Sequence, residues 1–356
     1  VKILKIGIDL IAFSPCPRVS VVFLPRSREV AKKNSVYLKN PMRSFAHILN
    51  PFNASAGSRP AIAQPVTFES MRRAKKYAEG KVSVQLFTAQ FPEDRNCVPA
   101  DFSATKDLDR SILDLGNFSS RRKLPLLNDI LTRLYESTDA EYLIYTNHDI
   151  ALMPGFYVMC DHFASKGYDA FAINRRRIPA RFNSVDQLEE MYAEAGETHT
   201  GYDTLVFKRS LFPKFIMENV VIGIPFGDTT LIHNLYAHAE NFRLFTEKHL
   251  TFHIGMELVP KWGDPDQYKF NSREFHKALK KLYPLFRIEN FPGASLPFFK
   301  RHFKWLMNPT FHYPTMLKLD FSQLGNKRRK YPEDERKKEK WLNWIIRRVN
   351  FPDEES

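Results

Sequence analysis

Apolar positions along this chain alternate between two periods. Phe45-Ala46-His47-Ile48-Leu49 is a short apolar run that stops at Asn50-Pro51, the pattern of a strand followed by a turn. Between Val66 and Glu79 the residues Phe68, Met71, Ala74 and Ala78 fall on one face and Gly80 supplies a stop, which predicts a helix. Val82 to Phe87 reads as a buried strand. Pro125 to Ser137 predicts a second helix, with Leu126, Leu127, Ile130, Leu131, Leu134 and Tyr135 in one stripe and Pro125 in its first turn. Ala140 to Ile150 and Asp169 to Ile173 read as further strands. Strands and helices alternating at this spacing predict an α/β fold, a mainly parallel sheet with helices on both faces. Ligands of such sheets bind outside the carboxyl ends of the strands.

The second half is less regular. Leu205 to Phe207 and Leu250 to Ile254 are short strand candidates, and Asp228 to Ala239 predicts a helix turning Leu231, Ile232, Leu235, Tyr236 and Ala239 inward. Beyond Phe270 come amphipathic pieces broken by prolines, then the basic stretch Lys327 to Lys340 and a Trp-bearing helix, Lys340 to Val349. Three parts follow: a basic N-terminal segment (1–44), an α/β catalytic domain (45–260), and a basic, aromatic-rich helical C-terminal extension (261–356).

Composition narrows the class. Thirty Phe and fourteen Tyr are a heavy aromatic load, suited to packing and to stacking on ligand rings. No apolar run reaches the length of a membrane span; Ile3 to Phe13 is short and holds Lys5 and Asp9. Three widely spaced cysteines (Cys16, Cys97, Cys160) suit neither a disulfide scaffold nor a zinc site, so a reducing, cytoplasmic compartment is expected. From Phe270 onward there are nineteen Lys/Arg against ten Asp/Glu, so most of the net charge of +13 belongs to the tail. With Trp341 and Trp344, that tail can lie on an anionic membrane surface, placing the protein peripherally at the inner face of the membrane. It can also grip RNA, or pack on the core as an ordinary solvated helix.

Candidate chemistry concentrates in Tyr142-Leu143-Ile144-Tyr145-Thr146-Asn147-His148-Asp149-Ile150, an apolar strand that runs into Asn, His and Asp. If the strand continues, Asn147 and Asp149 share one side and His148 takes the other. Two oxygen-bearing side chains so placed can hold Mn²⁺ or Mg²⁺, which fill their remaining positions with water and phosphate oxygens. The alternative is that they end the strand and cap the turn before Pro154.

Together with Met153-Pro154-Gly155-Phe156 and the helix before it, this stretch resembles the central region of GT-A glycosyltransferases, most closely their family 2, with its strand, D-x-D motif and following proline. The resemblance spans roughly Phe45 to Gly255. It implies a GT-A-like fold and a metal-dependent transferase that moves a sugar from a nucleotide-diphosphate donor to a hydroxyl on a glycan, lipid-linked or small-molecule acceptor. It gives Asp149 the metal that bridges the diphosphate. Asn147 stands where the family has the first Asp, a departure that keeps an oxygen ligand and loses a charge. Phe226-Gly227-Asp228-Thr229-Thr230 matches the acidic residue that opens a downstream helix and is the base of inverting enzymes, which falls on Asp228. Asp228 or Thr229 can alternatively be the helix N-cap, and a helix N-terminus favours the ionised, less basic carboxylate. His253 matches the C-terminal histidine ligand, with His249 its competitor. Gly201, Tyr202 and Asp203 match an acceptor-side glycine loop, by close backbone approach, stacking and hydrogen bonding; an ordinary loop with a turn-forming Asp is the alternative. Asn50, Thr88 and Gln90 lie where base and ribose bind, and Arg121, Arg122 and Lys123 can meet the diphosphate or the base.

Other chemistries lack their motifs. Asn147-His148-Asp149 also resembles the G-N-H-D element of metallophosphoesterases, but their upstream D-x-H and G-D-x-x-D elements are missing. The chain has no G-x-x-x-x-G-K-[ST] and no G-x-G-x-x-G after a strand. A non-catalytic sugar- or nucleotide-binding protein on the same fold, and a basic membrane- or nucleic-acid-binding protein, are the rival classes; nucleic acid fits least because the charge is not in the core.

Overall fold

The computed structural model describes residues 42–199, 201–256, 264–308 and 311–324. The basic N-terminal segment as far as residue 41, and the tail from Lys327 to Val349, lie outside them. In chain order the first half forms β1 (Ser44–Leu49), α1 (Arg59–Ala78), β2 (Ser83–Thr88), β3 (Ser103–Ala104), α2 (Leu127–Ser137), β4 (Tyr142–Thr146), β5 (Ala151–Leu152), α3 (Phe156–Ser165) and β6 (Ala170–Ile173). Then come β7 (Arg176–Ile178), α4 (Leu188–Ala193), β8 (Glu197–Thr198), β9 (Thr204–Lys208), α5 (Gly227–His238), β10 (Phe242–Phe245), β11 (Thr251–Ile254), α6 (Pro265–Leu282), α7 (Phe298–Leu306) and α8 (Tyr313–Leu319).

Seven strands make the central sheet in the order β10-β6-β9-β4-β1-β2-β3. Every pairing is parallel except the two made by β9, which runs antiparallel between β4 and β6. The mainly parallel α/β class expected from the sequence is therefore the observed one, with one reversed strand that periodicity does not disclose. A smaller sheet, β5-β11-β7-β8, carries the strand of His253.

Alternation along β4 sorts the core into two layers. Leu143 and Tyr145 face α2 and α5, meeting Leu131, Leu134 and Leu235, whereas Tyr142 and Ile144 face α1 and α3, meeting Met71 and Phe156. All five residues of β4 are buried, as expected for a strand covered on both faces. Two polar side chains buried beside it are satisfied internally. His47 of β1 hydrogen-bonds Tyr157 Oη and Thr146 Oγ1, each at 2.9 Å, and burial lowers its pKa to about 3, so the ring is neutral.

Several boundaries differ from expectation; α2 starts at Leu127, so Pro125 lies outside its first turn and bridges Ser111 instead. α1 begins seven residues before Val66, because Pro60 suits the first helical turn and Ala61, Ala63 and Gln64 sustain it; Pro65 is accommodated early in the helix. β4 ends at Thr146 rather than at Ile150, and Ile150 N–H donates to Asn147 O in a turn. The helices after residue 264 join the main core: Phe275, Leu279, Trp305 and Met316 cluster with Leu205, Phe207 and Leu235. Trp305 is wholly buried, and its indole N–H donates to Pro292 O at 2.9 Å. No helix among the described residues is long and apolar enough to cross a membrane.

Replacing Trp305 by Ala should lower unfolding stability by about 3–5 kcal/mol in a single transition shared with the sheet. Denaturant unfolding followed by near- and far-UV circular dichroism tests this. A separate early transition, with the main one unmoved, would mean that the C-terminal helices fold apart from the sheet.

Candidate active site

A cleft of about 1770 Å³ opens at the carboxyl edge of the central sheet, where β1, β4 and β6 end and β9 begins. Most of the polar residues singled out from sequence line it: Asn50, Arg122, Lys123, Asn147, Asp149, Gly201, Tyr202, Asp203, Asp228 and His253. Thr88 and Gln90 do not. Both are buried, Thr88 donating to Gln90 Oε1 at 2.8 Å, and the Gln90 amide donating to Asp107 Oδ1 at 2.8 Å and Thr105 O at 3.2 Å. Their polar atoms tie down the loop after β3 and are spent there, which removes them as base or ribose contacts.

Because β4 stops at Thr146, strand alternation does not govern the next three residues, and each makes its own contact. Asn147 turns to Asp228: its amide donates to Asp228 Oδ2 at 2.9 Å, while Tyr145 Oη donates to Asn147 Oδ1 at 2.8 Å. His148 meets the Phe52 ring edge-on at 4.8 Å, and its pKa is lowered mainly by burial. Asp149 Oδ2 lies 3.2 Å from His253 Nε2. Burial opposes ionisation of Asp149, yet the hydrogen bond with His253 and the electrostatic influence of His148, His253 and Arg175 hold its carboxyl well below the usual range. His249, the competing histidine, is not among the lining residues.

Asp228 is the second residue of α5, and it does not cap the helix. Phe226 occupies the N-cap position in a left-handed conformation (φ 86°), with no side-chain capping bond. A non-glycine residue there is strained. Gly227 follows because a Cβ at that position would sit 2.8 Å from Val221 O. The expectation that the helix N-terminus would keep Asp228 weakly basic is corrected. Its pKa is raised to about 7, first by burial at the cleft floor and then by the charges of Asp203 and Asp149; the Asn147 hydrogen bond and Arg175 oppose the rise. Desolvation and like charge outweigh the dipole here.

Asp203 accepts from Arg175 Nη1 at 2.8 Å, and both groups are largely buried. Gly201 approaches a protein side chain: a Cβ would lie 3.0 Å from the His199 ring, and its N–H donates to His199 Nδ1 at 2.8 Å. Asn174 holds this loop by donating to Gly201 O at 2.6 Å. Tyr202 is half-buried on the cleft wall. Asn50 donates to Ala89 O at 2.7 Å. At the lip, Lys123 pairs with Glu93 at 2.6 Å and lies over the Phe91 ring at 3.9 Å, while Arg122 reaches Gly223 O at 3.5 Å.

Asn174, Arg175, His199 and Phe52 were not anticipated. For the first two a signal existed, since Asn174-Arg175 directly follow β6 just as Asn147 follows β4.

Asp149 and His253 are suited by donor type to a shared divalent cation, an oxygen and an imidazole nitrogen already converging in a cleft. Asn147 fits that set poorly, because its oxygen accepts from Tyr145 and its amide is committed to Asp228. Among the described residues no group of three His, Cys, Asp or Glu side chains converges as metal ligands. Asp149 and His253 instead contact each other directly, at 3.2 Å.

No protein-family model matches the chain, and no curated protein matches its sequence. Among solved structures, S. aureus TarS in complex with UDP-GlcNAc is similar over 80% of this chain and 76% of its own, at 11% identity and a TM-score of 0.44. A 4-diphosphocytidyl-2C-methyl-D-erythritol synthase from Anaerococcus prevotii is similar over 65% of this chain and 98% of its own, at 10% identity and a TM-score of 0.33. At these levels the likeness is one of layout and carries no activity to this chain.

The charge pattern around Asp228 has a measurable consequence. In the substrate-free protein its carboxyl should titrate near 7, and Asp203→Asn should lower that midpoint, since a repelling charge disappears and Arg175 is released toward the cleft. A carbon-13 NMR titration of the side chain checks both, and an unmoved midpoint would show that Asp203 does not set it.

Proposed function

We infer that this chain is a metal-assisted glycosyltransferase that moves a sugar from a nucleoside-diphosphate donor to a hydroxyl acceptor with inversion, Asp228 being the base. The observation that carries this reading is the pairing of two differently tuned carboxylates in one cleft. Asp149 stays ionised beside His253, and Asp228, hydrogen-bonded to Asn147, has a pKa of about 7. Carboxyl groups whose environments push their pKa values apart divide the roles of charge stabiliser and proton acceptor.

In the reaction the acceptor oxygen attacks the anomeric carbon, the bond from that carbon to the diphosphate breaks, and Asp228 takes the acceptor proton. A base of pKa near 7 is matched to that task at neutral pH. Asn147 orients the Asp228 carboxylate through the 2.9 Å hydrogen bond, and Tyr145 in turn fixes Asn147. Asp149 and His253 would hold Mn²⁺ or Mg²⁺, which supplies neutralisation of the diphosphate's negative charge when bound. Arg122 and Lys123, which line the lip, would meet donor phosphate or base. Gly201, Tyr202 and Asp203 form the wall we take as the acceptor side, with Arg175 and Asn174 holding it in position.

Thermal-shift binding of a panel of nucleoside diphosphates and nucleotide sugars, with and without Mn²⁺, tests the donor half of this reading. One nucleotide should stabilise the protein in a Mn²⁺-dependent way, and Asp149→Ala should abolish that gain. Asp228→Asn should keep the gain and lower kcat by about 10²–10⁴-fold once an acceptor is supplied. A chain that only binds sugars would lose nothing on that substitution. The sign of the pH dependence follows from the raised pKa: kcat/KM should climb as pH rises through about 7 and Asp228 loses its proton, then level off.

A further inference from the structure

Past Asp228 the cleft continues into a lobe walled mainly by rings. Phe226, Ile232, His233, Tyr236, Phe275 and Phe311 line it. Ile232, His233 and Tyr236 come from one face of α5, at i, i+1 and i+4, and Asp228 stands one turn before Ile232 on the same helix. Phe226 stacks on Phe275 with ring centres 5.1 Å apart, so the left-handed residue that admits α5 also builds the lobe wall.

His233 is the polar exception on the lobe floor. The residue is 1% exposed and meets Tyr236, Phe275 and Phe311 edge to face, at 5.4, 5.5 and 5.7 Å. Its Nδ1 lies 2.6 Å from Thr229 O; a carbonyl only accepts, so Nδ1 carries the proton and Nε2 presents a lone pair. Burial lowers the ring's pKa to about 4, which keeps that lone pair unprotonated at neutral pH. Nε2 has no hydrogen-bond partner among the described residues. A buried acceptor left without a donor is costly, and such groups are rare enough to call for a reason. For packing alone, a phenylalanine would serve among so many rings without that cost.

We propose that the lobe seats the body of the acceptor, a flat apolar ring whose inner hydroxyl donates to His233 Nε2 while its outer hydroxyl faces Asp228. The outer oxygen is the one that attacks the anomeric carbon and gives its proton to Asp228 as the nucleoside diphosphate leaves. Asp228 and His233 are five residues apart on α5, about 7.5 Å of helix rise, which one ring with substituents at opposite ends can span. Chemistry selects this occupant. A flat ring meets the faces and edges of Phe226, Phe275 and Phe311 favourably. A sugar in the same place would bury several hydroxyls against Ile232, Phe275 and Phe311, which cannot answer them. The proposal rests on the transferase reading above and narrows its acceptor to hydroxyaryl compounds.

The test uses the full chain and three neutral probes, with affinities from ligand-observed NMR titrations in the absence of nucleotide and metal. The probes are 4-hydroxybenzyl alcohol, 4-fluorobenzyl alcohol, which has a similar outline without the inner donor, and methyl β-D-glucopyranoside. Wild type should bind the hydroxy probe about tenfold more tightly than the fluoro probe, and the glucoside most weakly. His233→Phe should keep the thermal midpoint and lose the preference for the hydroxy probe. His233→Gln, whose side-chain oxygen accepts, should restore part of it, and Phe311→Ala should weaken both aryl probes alike. Equal binding of the two aryl probes by wild type overturns the proposal, as does binding of neither. So do a preference that survives in folded His233→Phe and tighter binding of the glucoside. With nucleotide absent, the lobe can fail while Mn²⁺-dependent nucleotide stabilisation stands, and the reverse.

Discussion

β4 is buried on both faces and hydrogen-bonded on both edges, and almost everything else follows from that confinement. A strand without access to water tolerates polar side chains only where each finds a partner. Along this one, Thr146 is answered by His47, the Tyr142 hydroxyl by Tyr168 O and the Tyr145 hydroxyl by Asn147. Chemistry must therefore begin where the strand leaves the core. Asn147, His148 and Asp149 sit at that exit, each within reach of a different neighbour because the chain has stopped being a strand.

The reversed strand β9 completes the edge. A parallel strand delivers to the carboxyl side of the sheet the residues that follow it, as β4 delivers Asn147 to Asp149 and β6 delivers Asn174 and Arg175. An antiparallel strand delivers the residues that precede it. Thr204 pairs with both Thr146 and Ile173, so Gly201 to Asp203 arrive at the same edge from the opposite direction. The Arg175–Asp203 ion pair and the Asn174 hydrogen bond to Gly201 are products of that convergence. Asp228 comes from a third source, a helix whose entry demands a left-handed Phe226 and a glycine after it.

Much of this was legible beforehand. Periodicity located β1, α2, β4 and α5 through their apolar stripes, though not all of their ends. The clustering of Asn147, Asp149, Asp228 and His253 in one cleft could be anticipated from order along the chain. The orientation of Asn147 could not, since it depends on where β4 ends, and an apolar run does not show the residue at which a strand gives way to a turn. Thr88 and Gln90 went astray for a related reason. Lying at a strand end is not the same as facing a cleft, and here a neighbouring loop claims their polar atoms. The raised pKa of Asp228 needed three-dimensional knowledge of Asp203, which is remote in sequence. Arg175 was readable in principle, had the residues after every parallel strand been given the weight that those after β4 received.

The neutral imidazole of His47, wedged between Tyr157 and Thr146, gives the scaffold an acid sensitivity of its own. Its folded pKa of about 3 lies below the ordinary histidine value of 6.5, so between those limits the unfolded chain binds a proton that the folded chain refuses. Stability contributed by that neutral ring is fully present above the upper limit and drains away as pH falls toward the lower. The same descent begins just below the point at which Asp228 becomes neutral. Acidification therefore neutralises the proposed base first and then erodes the stability that the neutral ring contributes between β1 and β4.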